Sequence, residues 1–208
     1  MIFRKRTQIA SLLFSLVFLL SGCIASPPKA PEDVCAIFKE KRHWYRAAQR
    51  ARDRWKTPVG ITMSFIYQES GFRGNSKPER ARILWILPSW KRISTARGYA
   101  QAIDSTWEQY RGDVGGFPIR ENFKDAVDFV SWYNYQSQRV LGISRIDAKS
   151  LYLAYHEGWR GYEEKTYLSK PWLMNAANRV DERARRYQTQ YIQCKNKLHR
   201  WYDFLLPI

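Results

Sequence analysis

Acidic residues, cysteine and histidine are all scarce in this 208-residue chain, and each scarcity excludes something. Nineteen Asp and Glu face thirty-five Lys and Arg, for a formal net charge of +16, so the molecule presents a positive field that concentrates polyanions. Cys23, Cys35 and Cys194 are the only cysteines, with no Cys-x-x-Cys pair among them, and His43, His156 and His199 lie far apart. Metal-ligand spacing is therefore missing, and we expect neither a metal site nor any other cofactor. Gly-rich phosphate loops, Ser/His/Asp arrangements, internal repeats and low-complexity tracts are also absent, which removes nucleotide hydrolysis, triad chemistry and solenoid architectures.

Long apolar runs are missing too, with one exception at the start. Arg4, Lys5 and Arg6 precede an apolar stretch from Ile9 to Leu20, too short to span a bilayer comfortably and placed like a secretion signal. It ends in Leu20-Ser21-Gly22-Cys23, which resembles the bacterial lipobox, so residues 1–22 read as a lipoprotein signal and Cys23 as the lipidated first residue of the mature chain. Ser26-Pro27-Pro28-Lys29-Ala30-Pro31 follows as a proline-stiffened spacer, making 23–32 a tether and 33–208 a single domain. Export disfavours nucleic acid as the partner of the positive charge. It also favours pairing of Cys35 with Cys194 in an oxidising compartment.

What is present is helical periodicity. Asp33 is placed to cap a helix running through Phe38, Trp44, Ala48 and Trp55. Thr57-Pro58 offers a capping hydroxyl and a first-turn proline for an amphipathic helix reaching Glu69. Asp104 opens a short helix, Asn122 a long one to Leu141, Asp147 another to Tyr155, and Ser169-Lys170-Pro171 the last through Tyr191. Between Phe72 and Arg97 the pattern lapses around Ile83-Leu84-Trp85-Ile86-Leu87, a small hairpin or an ordered loop. The expectation is a mainly α fold with a compact β or irregular insertion.

Three short motifs carry the chemistry: Glu69-Ser70-Gly71-Phe72 at a helix end, Ala96-Arg97-Gly98-Tyr99-Ala100-Gln101 at a turn, and Ala154-Tyr155-His156-Glu157-Gly158 on a later helix. A carboxyl at the apolar end of a helix, facing aromatic and amide groups, suits cleavage of a sugar–sugar bond. In this order the motifs resemble those of the lytic transglycosylases of the soluble, goose-lysozyme-like (SLT) group, over about Val59 to Gly161. The resemblance implies a lysozyme-like domain acting on peptidoglycan glycan strands, with Glu69 as sole acid and base; the alternatives are a hydrolytic lysozyme-like muramidase and a non-catalytic glycan-binding envelope lipoprotein. It also implies substrate contacts from Ser70, Tyr99, Gln101, Tyr155, His156 and Trp159, with Tyr155 hydrogen-bonding the carboxyl. Glu157 is the residue to examine as a second carboxylate. Two departures stand out, Tyr99-Ala100 in place of the family's Leu-Met and His156 in place of its Asn. By the same analogy, the lipobox and Ile24 place the chain in the periplasm, held by lipid at a membrane, the outer one rather than the inner.

Overall fold

The computed structural model describes residues 26–77, 80–83, 87–92 and 94–198. The signal segment, Cys23, the Leu84–Ile86 part of the apolar knot and His199 lie outside the described residues. Seven α-helices make up most of what is described: α1 (Val34–Glu40), α2 (Arg42–Trp55), α3 (Val59–Ser70), α4 (Asp104–Val114), α5 (Phe123–Leu141), α6 (Ala148–Glu163) and α7 (Pro171–Leu198). A 3₁₀ turn at Thr166–Ser169 joins the last two. The insertion is an antiparallel hairpin of β1 (Arg80–Ile83) and β2 (Leu87–Arg92), with Arg82 opposite Pro88 and an irregularity between Arg80 and Arg82. No helix among the described residues is long and apolar enough to cross a membrane.

Asp33 caps α1 as its sequence position predicts, accepting from the Cys35 and Ala36 amides at 2.8 and 3.0 Å. The single helix expected from Asp33 to Trp55 is instead two. Lys41 leaves helical geometry (φ −121°, ψ 73°), and the bend lets Phe38 and Trp44 both reach the core, each fully buried. Thr57 does not cap α3. Its hydroxyl donates to the Ser131 carbonyl at 3.1 Å, tying the start of α3 to α5, and Pro58 occupies the capping position.

Helix α3 is also not amphipathic. Every residue from Val59 to Ile66 is buried, so the helix runs through the middle of the bundle. Gly60 permits this closeness: a Cβ there would stand 2.5 Å from the Ala184 carbonyl oxygen and 2.7 Å from the Gln188 amide nitrogen of α7. Trp44 stacks flat on Phe123 at 3.8 Å, sealing the core beneath α2 and α5. The expected disulfide joins Cys35 on α1 to Cys194 on α7 across 159 residues, with Cα atoms 6.1 Å apart. Closing so long a loop stabilises by up to about 5 kcal/mol on the chain-entropy model.

Candidate functional site

Glu69 lies on the last turn of the central helix α3, and that placement decides its chemistry. Gly71 ends the helix in the left-handed region (φ 57°), its amide donating to the Tyr67 carbonyl at 2.8 Å. Phe72 follows at φ 62°, a conformation rare for a bulky residue, and is fully buried against Trp44 and Tyr67. Core packing thus fixes the turn that aims Glu69 into a cleft of ≈ 520 Å³. Around it stand Gln101, Ala102 and Ile103 from the turn before α4, Thr106 of α4, Phe129 and Tyr133 of α5, and Tyr155, His156, Glu157 and Gly158 of α6, with Ser94 and Ala96 on the remaining side.

The Glu69 carboxyl keeps a window onto this cleft but is otherwise enclosed by protein. Burial pushes its pKa up to about 7, against one opposing influence, a hydrogen bond from the Tyr152 hydroxyl to Oε1 at 2.8 Å. The negative end of the α3 dipole further disfavours a carboxylate here. The acid is therefore poised between proton donor and proton acceptor near neutral pH.

Tyr152 takes the part that the sequence reading assigns to Tyr155. The two are three apart on one face of α6, and Phe65 packs edge-on against both rings, at 5.2 and 5.4 Å. Tyr155 lines the cleft, but its hydroxyl donates to the Ala100 carbonyl at 2.5 Å and so binds α6 to the glycine turn. In that turn Gln101 sits at φ 48°, its side-chain amide donating to the Gly98 and Ser76 carbonyls at 2.8 and 3.0 Å. Gln101 faces the cleft while bracing its own loop. The turn's outer support is Arg120, only 4 % exposed, which donates to the Ala102 carbonyl at 3.2 Å and pairs with Asp104 at 2.7 Å.

Three expected substrate contacts are corrected by the structure. Ser70 is buried, its hydroxyl donating to the Ile66 carbonyl at 3.0 Å, the usual back-bonding of a helical serine. Tyr99 is 2 % exposed and packs edge-on against Trp44 and Phe123, so it offers no face to a sugar. Trp159 donates from Nε1 to Ser137 at 3.0 Å and lies on Tyr133, outside the cleft lining. Each is an aromatic or hydroxyl group whose direction, set by tertiary packing, the sequence does not encode. Glu69, Gln101, Tyr155 and His156 do meet in the cleft.

Tyr152, Arg120 and the partners of Glu157 are additions. Spacing alone flags Tyr152, because a residue at i−3 from Tyr155 shares its helix face. Gly158 breaks α6 at the cleft, with φ 74° and ψ 166°, a region open to glycine alone. The break interrupts the helix where the sequence places an interruption, and a second helical stretch follows it to Glu163. Among the described residues no group of three or more His, Cys, Asp or Glu side chains is arranged to hold a metal ion.

A family model described as the transglycosylase SLT domain matches residues 11–194. No curated protein and no solved structure matches the chain.

Proposed function

The chain belongs to the transglycosylase SLT-domain family, and from that premise we propose that it is a lytic transglycosylase cleaving the β-1,4 bond between N-acetylmuramic acid and N-acetylglucosamine in peptidoglycan. Family membership supports action on peptidoglycan; the residue-level mechanism is our reading of the site. The observation that carries it is the Glu69 carboxyl, enclosed except for its window onto a cleft with aromatic walls and with its pKa pushed up to about 7. Glycosidases that retain or invert by the usual routes need two carboxylates. Here the substrate's own N-acetyl group replaces the second. Glu69, protonated at rest, donates its proton to the glycosidic oxygen as the bond to C1 breaks, and the N-acetyl oxygen closes on C1. The resulting Glu69 carboxylate then removes the proton of the muramyl 6-hydroxyl, whose oxygen displaces the N-acetyl oxygen. The products are a 1,6-anhydro sugar and a new 4-hydroxyl, with Glu69 again protonated and no water consumed.

Tyr152 keeps the carboxyl aimed through both steps, and Gln101 and Tyr155 shape the floor on which the N-acetyl group lies. Attachment through a lipid at Cys23, facing the periplasm and held at the outer membrane, completes the proposal. The basic surface then meets the anionic wall and lipid head groups. Mass spectrometry tests both halves on one preparation. Digested peptidoglycan is expected to yield anhydro-muropeptides, and the native protein an acylated Cys23. Reducing ends alone would make the enzyme a hydrolase, and an unmodified N-terminus would remove the anchor.

A further inference from the structure

Glu157 and its partners take no part in the chemistry above, although Glu157 and His156 both line the cleft. Lys170 Nζ donates to both Glu157 oxygens at 2.8 and 2.8 Å, the Thr166 hydroxyl donates to Oε2, and His156 Nδ1 stands 3.0 Å from Oε1. These contacts fill the acceptor capacity of a carboxylate, and the side chain is only 4 % exposed. Burial raises its pKa, but the bonds from Lys170, Thr166 and His156 outweigh that and hold it down at about 2. Glu157 therefore has no free lone pair with which to activate water or attack a sugar. It is an ionised anchor.

What it anchors is informative. An ionised carboxylate only accepts, so His156 donates from Nδ1, and its Nε2 is the ring nitrogen left for another partner. Lys170 and Thr166 fasten the 3₁₀ turn and the start of α7 to the same carboxylate. That turn of α7 carries Trp172, whose ring lies 5.1 Å from the His156 ring at 76°. Trp172 is 57 % exposed, an indole held in place beside the cleft with much of its surface left to solvent.

We propose that Trp172 and His156 form a sugar subsite at the edge of the Glu69 cleft, taking an N-acetylhexosamine of the glycan strand outside the scissile pair. The C–H face of the pyranose lies on the indole, a ring hydroxyl hydrogen-bonds His156 Nε2, and the Glu157–Lys170 pair sets the spacing between the two. This assignment rests on the reading of the chain as acting on glycan. Trp172 contacts substrate; Glu157 and Lys170 are positioning residues.

The test uses Trp172→Ala and Trp172→Phe in two measurements: calorimetric titration with soluble β-1,4 N-acetylglucosamine oligomers, and KM and kcat on peptidoglycan. Trp172→Ala is expected to weaken oligomer binding and raise KM about tenfold, with kcat changed far less. Trp172→Phe, which keeps an aromatic face, restores most of the affinity. Wild-type affinity and KM in Trp172→Ala would overturn the subsite, and so would a fall in kcat and melting temperature without any change in KM. Failure of the activity reading looks different: the wild-type protein would release no fragments at all, while calorimetry on wild type and Trp172→Ala would still report whether oligomers bind at Trp172.

Discussion

Glu69→Gln is expected to abolish fragment release from peptidoglycan, by at least about 10³-fold in kcat, while the protein folds and still binds glycan. Glutamine preserves the shape of the side chain and can donate a hydrogen bond, but it cannot give up a proton to a leaving oxygen. Nor can it take one from the muramyl hydroxyl, so both halves of the reaction fail together. The same substitution should stabilise the fold in alkaline solution. The wild-type carboxyl has its pKa near 7, above the ordinary value of 4.5. Its contribution is favourable below about pH 4.5, where it is neutral whether folded or not. That contribution is lost as pH rises through 7, on the order of 3 kcal/mol in all. The substituted amide never ionises. Melting curves at pH 4 and pH 8.5 should therefore nearly coincide for the two proteins at the lower pH, with the variant the more stable at the higher. A variant that keeps a substantial rate, or a stability gap that does not grow with pH, would speak against the assignment. For the wild-type enzyme, kcat/KM should decline above pH 7 as the acid loses its proton.

Gly98→Ala is the second large effect, and here the loss is structural. Gly98 has φ 80°, and a Cβ placed on it would sit 2.2 Å from the carbonyl oxygen of Arg120 and 2.6 Å from its carbon. Those are backbone atoms that cannot swing aside, and the same carbonyl accepts from Tyr99 N at 3.3 Å. The methyl must push the Arg120 backbone outward, disturbing the buried guanidinium that supports Ala102 and the amide ladder of Gln101. Left-handed strain and overpacking together cost about 2 to 4 kcal/mol, roughly 10 °C in melting temperature for a domain of this size. Activity should fall further than stability at working temperature, because the displaced turn forms one wall of the cleft. Gly112→Ala is the matched control, since a Cβ there meets nothing within 4 Å and lies in helix α4. It should be neutral or slightly stabilising. Equal melting temperatures for the two variants would contradict this picture of the turn.

The reach of the sequence is clearest at the motifs themselves. Glu69-Ser70-Gly71-Phe72 announces a helix end because glycine after an apolar helical run is a stop signal, and the structure places that stop where the spacing predicts. The caps at Asp33, Asn122 and Asp147 are equally open to reading from local chemistry, whereas the apolar insertion reads as either a hairpin or an ordered loop, and the Cys35–Cys194 bond follows from export to an oxidising compartment. The direction of the aromatic side chains is not. Tyr152 and Tyr155 share a helix face, and only the position of α3 against α6 decides which hydroxyl reaches Glu69. Tyr99 and Trp159 suit the cleft by composition and local context, yet packing turns one into the core and lays the other on Tyr133. The burial of Arg120 is hidden for the same reason: its acceptors, the Ala102 and Thr95 carbonyls, lie eighteen and twenty-five residues away.

The proton on Glu69 is the point on which the mechanism turns, and carbon-detected NMR of the side-chain carboxyls reads it directly. With glutamate labelled at the δ-carbon and Glu69→Gln used to assign its resonance, the account predicts a midpoint close to 7. A midpoint near the ordinary 4.5 would leave Glu69 ionised in neutral solution, with no proton to give the glycosidic oxygen, and would contradict it.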